Sequence, residues 1–404
     1  MHTILLLTIS ASAISANSFW DILNSVIDME NFASTYVPED ARLNISQLVN
    51  KYGYPIEEHS VITEDSYHIN IHRIPSENLK AERPVVFLMH GILESSDSWT
   101  LQGPGLSLAY LLADQQFDVW MGNARGNKHA LKHSTLDVHS QEFWDFTWEE
   151  IGLFDVSAMI DYVLETTGKP SLYYIGHSQG TTSAYVLLST KPEYNTKIKI
   201  MFSLAPEAWM GNIQSPLVRM FSPASWFLGY VLQTVNTLAP STEMFNKISA
   251  VVCSVLPVRC DFVYAITGYG RSINDTLLPV IFGHMPTGSS VRQFIHYGQL
   301  VMSKRFCRFD NGATHNLDVY GQETPPDYNL SNILAPMVIF YSTGDWLSDP
   351  RDVGTLKDHL KNVFAYIHVG DFSHLIIQIY LIFRNTSVTR YANYEDMSFV
   401  CQRS

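Results

Sequence analysis

Short apolar runs alternate with helix-like segments through the first half of the chain. Residues 61–75 have the pattern of a hairpin, and residues 84–89, 117–123, 171–175 and 198–204 have the pattern of buried strands. Strands that are apolar throughout are covered on both faces, and their alternation with helices is typical of a parallel sheet. We therefore predict an α/β fold with a mainly parallel central sheet flanked by helices.

The pentapeptide Gly-His-Ser-Gln-Gly at 176–180 joins the strand-like run 171–175 to a helix-like segment. A serine between two glycines at such a strand-to-helix junction is typical of a nucleophile elbow, because side chains at the glycine positions would collide with neighbouring backbone. Ser178 is therefore the candidate nucleophile. The N–H of Gln179 is a candidate donor to an oxyanion.

A serine hydroxyl needs a base to accept its proton, and the base needs a third group that orients it. For a nucleophile elbow the expected chain order is serine, acid, histidine. The apolar run 363–369 predicts a strand that leads to His374, which is the candidate base. The chain has 15 histidines, and we expect most of the others to lie at surfaces or in ordinary hydrogen bonds.

The acid is expected on the loop that follows the predicted strand 336–341. Asp345 and Asp349 both lie on this loop. Asp349 precedes a proline, a combination that favours turns, so we prefer Asp345 and interpret Asp349 and Asp352 as turn or capping residues.

The second half of an oxyanion site is expected from the loop after the third strand. The predicted strand 84–89 is followed at once by His90 and Gly91. Gly91 allows the backbone to fold back towards Ser178, so the N–H of Leu93 is the second candidate donor. The alternative is that His-Gly is only a turn.

At these residues the sequence resembles the acid lipases, which include gastric and lysosomal acid lipases and insect digestive relatives. The resemblance implies an α/β-hydrolase fold with Ser178 as nucleophile, Asp345 as acid, His374 as base, and Leu93 and Gln179 as oxyanion donors. It covers residues 50–390, and its matching segments are 52–55, 90–93, 118–127, 176–180, 204–206 and 349–353. Within 118–127 we expect Trp120, Asn123 and Arg125 to be structural.

The alternation of strands and helices breaks between residues 206 and 332, where aromatic residues and methionines are interspersed with Pro, Gly and Ser. We predict a mostly helical cap or lid here, inserted into a catalytic core formed by 19–205 and 333–404. Most of its aromatics are expected to form the cap's own core. For residues 222–239, which include Trp226 and Phe227, the alternative is a mobile lid whose apolar face meets lipid.

Composition narrows the possible functions. The chain has 404 residues, of which 46% are hydrophobic and 16% charged, so it has enough apolar material for a large core. A net charge of -13 argues against nucleic-acid binding, which needs a basic surface. The acidity fits a protein that meets neutral lipid through an apolar face. The sequence has no His/Cys cluster at metal spacing and no apolar run of spanning length, so we expect no metal, cofactor or transmembrane segment.

The N-terminus predicts entry into the secretory pathway. Residues 1–18 contain an apolar stretch followed by small residues, as in a signal peptide, with cleavage after residue 13, 16 or 18. Glycosylation sequons support a secreted or lysosomal protein, and they lie at Asn44, Asn274, Asn329 and Asn385.

The chain has 4 cysteines. Cys253 and Cys260 are close enough in sequence to close a small loop, and we favour this disulfide. Cys307 and Cys401 stay undecided, because spacing alone does not bring two Cα atoms within bridging distance.

Together these features predict a serine hydrolase that cleaves carboxylic esters of neutral lipids, a triacylglycerol lipase, through an acyl-enzyme and without a cofactor. The alternatives are a cholesteryl-ester hydrolase or a short-chain esterase. A more remote alternative is a lipid-carrying or storage protein that keeps this fold without catalysis.

Overall fold

The computed structural model describes residues 37–75, 83–224, 237–238, 246, 249–250, 253, 264–268 and 277–375. Several predicted features lie outside these residues: the signal segment 1–18, Trp226, Phe227, Cys260, Cys401, Asn274 and Asn385.

A nine-stranded sheet forms the centre of the described chain. Its strands are β1 Glu57–Ile62, β2 Tyr67–Ile74, β3 Val85–Met89, β4 Asp118–Met121, β5 Lys132–His133, β6 Leu172–His177, β7 Ile198–Leu204, β10 Met337–Tyr341 and β11 Val363–His368. The strand order is β1-β2-β4-β3-β6-β7-β10-β11, with β5 paired to β2. β1, β2 and β5 are antiparallel to their neighbours, and the strands from β4 to β11 along the sheet pair in parallel. The predicted α/β class is thus confirmed.

Helices follow most of the parallel strands and cover the sheet. A π-helix, Ile151–Val156, leads directly into the α-helix Ser157–Thr167. The α-helices are α1 Ile45–Lys51, α2 Leu108–Asp114, α3 Trp148–Glu150, α4 Ser157–Thr167, α5 Gln179–Thr190, α6 Pro216–Phe221, α7 Tyr264–Thr267, α8 Leu278–His284, α9 Val291–Ser303, α10 Ala313–Tyr320 and α11 Pro350–His359.

The apolar runs of the sequence become strands that are buried on both faces. In β3, Val85, Phe87 and Met89 pack into the core on one side of the sheet. Val86 and Leu88, which alternate with them, pack into the core on the other side. Because successive side chains of a strand point to opposite faces, a continuous apolar run is what two separate cores require.

Among the described residues, the chain leaves the central sheet after β7 and next joins it at β10. Between them, β8 Thr237–Leu238 and β9 Ser289–Ser290 form a separate two-stranded sheet. This arrangement agrees with an insertion, whose limits at 206 and 332 stay a prediction. In the described part of the chain, no helix is both long and apolar enough to cross a membrane.

The predicted disulfide is only partly visible. Cys253 is disulfide-bonded, and its pairing with Cys260 stays a prediction because Cys260 is not among the described residues. Cys307, which the sequence left undecided, is a free and buried cysteine.

Candidate active site

Ser178 lies at a sharp turn between β6 and α5. Its backbone has φ 51° and ψ -123°, a conformation that is strained for a residue with a side chain. The flanking glycines make the turn possible. A Cβ atom at Gly180 would lie 2.3 Å from the carbonyl oxygen of Met89, and one at Gly176 would lie 2.9 Å from that of Gly180. The sequence therefore folds here into a tight strand-to-helix turn, the geometry of a nucleophile elbow, with Ser178 as its candidate nucleophile.

His374 and Asp345 are in direct contact. The Nδ1–H of His374 donates to both carboxylate oxygens of Asp345, at 2.8 Å and 3.0 Å. One of these oxygens also accepts the N–H groups of Leu347 and Ser348, at 2.9 Å and 2.8 Å. These bonds fix the orientation of the carboxylate, and the carboxylate fixes the orientation of the imidazole.

The other two acidic candidates, Asp349 and Asp352, form hydrogen bonds with groups other than His374. Asp349 is the N-cap of α11, where its side chain accepts the N–H of Arg351. Asp352 accepts hydrogen bonds from the backbone and side chain of Asn212, at 2.8 Å and 2.7 Å. Of the three candidates, Asp345 is the one that contacts His374.

Ser178, Asp345 and His374 follow β6, β10 and β11. These strands are parallel and lie along one stretch of the sheet, so the three residues follow strand ends at the same edge. In open α/β sheets this carboxyl edge is where ligands bind.

The remaining ring nitrogen of His374 is the one available for chemistry. Nε2 is buried and has no hydrogen-bond partner, and Oε1 of Glu207 lies 3.6 Å from it. Burial alone would lower the pKa of His374, but Asp345 and then Glu207 and Glu94 raise this pKa to about 9. Burial raises the pKa of Glu207 itself.

The N–H groups of Leu93 and Gln179 stay the candidate oxyanion donors. Leu93 has φ 63°, and a Cβ atom at Gly91 would lie only 3.1 Å from Cβ of Ser178, so the two loops approach closely. Among the hydrogen bonds of the described residues, neither the N–H of Leu93 nor that of Gln179 has an acceptor. The side-chain amide of Gln179 donates to Gln293 at 2.6 Å.

Three buried residues of this region were not predicted from the sequence: Glu94, His177 and Glu207. Each stands beside a recognised motif. Glu94 follows the His-Gly turn, His177 is the variable residue before Ser178, and Glu207 comes three residues after β7 ends. An ionisable residue at the end of a buried strand, or in the loop that follows it, was the available signal. Within the described residues, no group of three or more His, Cys, Asp or Glu could hold a metal ion.

Two family models match the chain. Residues 45–103 match a partial alpha/beta-hydrolase lipase region, and residues 84–246 match the alpha/beta hydrolase fold. With the sheet order and the elbow, these matches define the chain as an α/β hydrolase.

The relatives narrow this class to one family. The chain is 39% identical to Lipase 1 of Drosophila melanogaster, over 84% of this chain and 76% of that protein. It is 37% identical to gastric triacylglycerol lipase of Rattus norvegicus, over 83% of this chain and 87% of that protein. It is 34% identical to lysosomal acid lipase/cholesteryl ester hydrolase of Homo sapiens, over 84% and 88%. The chain belongs to the acid lipase family.

Proposed function

We propose that this protein is a lipase that hydrolyses the carboxylic ester bonds of triacylglycerols, with Ser178 as nucleophile. The observation that carries this proposal is the buried pair of His374 and Asp345, whose free nitrogen Nε2 lies at the same sheet edge as the elbow of Ser178. The names of its relatives, triacylglycerol lipase among them, support neutral lipid esters as the substrate class.

The reaction proceeds in two acyl-transfer steps. Oγ of Ser178 attacks the ester carbonyl carbon while Nε2 of His374 accepts the hydroxyl proton, and the resulting oxyanion is bound by the N–H groups of Leu93 and Gln179. The C–O bond to the alcohol then breaks, and the alcohol leaves with the proton from His374. Water attacks the acyl-enzyme by the same route in reverse, giving the fatty acid and free Ser178. Asp345 stabilises the imidazolium throughout.

A panel of esters tests the proposal. The purified protein is expected to hydrolyse emulsified triacylglycerol, and the Ser178→Ala variant is the control for contaminating esterases. One relative carries cholesteryl ester hydrolase in its name, so cholesteryl ester is the second substrate to compare. Turnover of soluble short-chain esters alone would contradict a lipase and favour an esterase. Binding of lipid without any turnover would favour a carrier.

We further propose that the insertion, residues 206–332, forms the contact with the lipid surface. Met220 and Phe221 of α6 are 61% and 53% exposed. In the sequence, α6 is followed by the segment that contains Trp226 and Phe227. Each Å² of apolar surface moved from water to lipid stabilises the bound state by about 25 cal/mol. We expect Met220→Glu with Phe221→Glu to lower the rate on emulsion several-fold and to spare soluble short-chain esters. Equal losses on both substrates would contradict this role.

Secretion is the final part of the proposal. Asn44 and Asn329 are exposed, as glycan acceptors must be. Removal of N-glycans from protein recovered from the medium of expressing cells should lower its apparent mass, and Asn44→Gln with Asn329→Gln should reduce that shift. Protein retained in the cytoplasm without glycans would contradict it.

A further inference from the structure

Glu94 closes the turn that contains the oxyanion donor Leu93. Its carboxylate accepts the N–H of Gly91 at 3.0 Å, and its own N–H donates to the carbonyl of Gly91 at 3.3 Å. Residues 91–94, here called the oxyanion turn, are thus held by two bonds across the same pair of residues. A left-handed residue with a side chain, such as Leu93, costs on the order of 1–3 kcal/mol and persists only where its surroundings hold it.

The oxyanion turn is also held from the insertion. The N–H of Thr287 donates to the carbonyl of Leu93 at 2.9 Å, and its hydroxyl donates to the carbonyl of Glu94 at 2.5 Å. The carbonyls of Leu93 and Glu94 are therefore both occupied, while the N–H of Leu93 has no acceptor among the described residues.

His177 contacts the loop that contains the base His374. Its Nε2–H donates to the backbone carbonyl of His374 at 3.1 Å, because a carbonyl can only accept. Its other nitrogen, Nδ1, is buried without a hydrogen bond and lies 3.5 Å from Oε1 of Glu94. His177 also precedes Ser178 in the chain. The two side chains therefore connect the oxyanion turn, the nucleophile elbow and the loop of the base.

A buried carboxylate is costly unless its surroundings compensate it. Glu94 is 2% exposed, and His177 is the one basic side chain that contacts its carboxylate among the described residues. Burial by itself would raise the pKa of Glu94, but His177 and the N–H of Gly91 hold it below its usual range. Glu94 is thus an ionised group that is paired to a histidine at the centre of the site and not to a permanent cation.

We propose that Glu94 and His177 act together as a positioning pair, which sets the distance between the oxyanion donor Leu93 and the catalytic base His374. The proposal rests on the proposed function, because it concerns the geometry of that same site. Neither side chain needs to touch the substrate. Because misplaced oxyanion donors act on the transition state, the pair should influence turnover more than substrate binding.

Four variants test the pair: Glu94→Ala, Glu94→Gln, His177→Ala and the double alanine variant. On a soluble ester we expect Glu94→Ala to lower kcat by about a hundredfold, in the range seen for the loss of one oxyanion donor, with KM within about twofold. Glu94→Gln keeps an acceptor for Gly91 and should recover part of this loss. If the residues act as a unit, the double variant should lose less than the product of the two single losses.

A transition-state analogue separates positioning from general damage to the fold. A trifluoromethyl ketone forms an oxyanion adduct with the active serine, so its affinity should fall in parallel with kcat/KM across the variants. Glu149→Gln is the matched control, because Glu149 is also a buried carboxylate but pairs with Arg308 and Tyr328. It should lose thermal stability and keep kcat and analogue affinity.

Two results would overturn the inference, and they differ in meaning. An active wild type whose Glu94→Ala and His177→Ala variants keep kcat, or lose kcat without losing analogue affinity, would refute the positioning pair alone. A wild type without ester turnover would refute the proposed function and the pair with it.

Discussion

Two groups of carboxylates in this protein, all buried except the half-buried Asp65, contact different basic side chains. Asp155 and Asp65 surround the guanidinium of Arg125, whose N–O distances to them are both 2.6 Å. Asp345 and Glu207 instead lie on either side of the imidazole of His374, at 2.8 Å and 3.6 Å.

The two groups suggest different roles for buried carboxylates: those around Arg125 stabilise the fold, and those around His374 are expected to act in the reaction. Arginine stays charged under all conditions, so the group around Arg125 is fixed in charge and serves to hold the loop after β4 against the π-helix. Histidine gains and loses a proton near neutral pH, so the group around His374 changes charge during a reaction. The partner of a carboxylate, more than its burial, therefore predicts whether its loss affects stability or turnover.

The largest effect is expected at Asp345. Asp345→Asn removes the charge that orients and stabilises the imidazole, and we expect kcat/KM to fall on the order of ten-thousandfold with the fold retained. Asp349→Asn is the matched control on the same loop: Asp349 is the N-cap of α11, and asparagine caps helices about as well as aspartate, so this variant should lose at most about 1 kcal/mol of stability. Hydrolysis rates on a soluble ester, together with thermal melts of both variants, show which aspartate is the acid. An inactive Asp349→Asn beside an active Asp345→Asn would reverse the assignment.

Substitution of Asp155 is expected to lower the free energy of unfolding strongly and to change kcat little. Asp155→Asn leaves the buried guanidinium of Arg125 with one carboxylate, and breaking a buried pair costs about 3–5 kcal/mol. Urea unfolding should show this loss, while kcat per folded molecule stays within a few-fold of the wild type. A drop in kcat comparable to that of Asp345→Asn would mean that the two carboxylate groups are not functionally distinct.

The smallest expected effect is a pH shift at Glu207. The base must be neutral to accept a proton, so kcat/KM falls as pH drops through the pKa of His374, which Glu207 helps to raise. Glu207→Gln should lower this pKa and move the acidic limb of the profile to lower pH, increasing the rate at acidic pH by up to about tenfold. A limb that stays in place, or moves to higher pH, would contradict the electrostatic role of Glu207.

Much of the fold follows from local sequence patterns. The run 198–204 coincides with β7, and the run 84–89 exceeds β3 by one residue. Such runs are recognisable because strands covered on both faces are apolar without interruption. The hairpin predicted at 61–75 begins earlier in the structure, at Glu57. The sequence pattern did not reveal its first residues, because β1 is largely exposed at the sheet edge and has no apolar pattern.

The candidate triad was accessible from sequence because each member follows a recognisable strand. The buried charges around it were not. Glu94, His177 and His374 are brought together by three different strands, and their contacts have no sequence period. The sequence also indicates that Arg125 pairs with carboxylates, but it does not indicate which ones. Its partners Asp65 and Asp155 are 60 and 30 residues away in the chain.

The central claim, that Ser178 forms the acyl-enzyme, is tested most directly by covalent labelling. A p-nitrophenyl phosphonate ester should release one equivalent of nitrophenolate, abolish ester hydrolysis in proportion, and leave a phosphonyl adduct on the peptide that contains Ser178. Ser178→Ala should be folded, unlabelled and inactive. An adduct on another residue that still abolishes activity, or turnover retained by Ser178→Ala, would contradict the account.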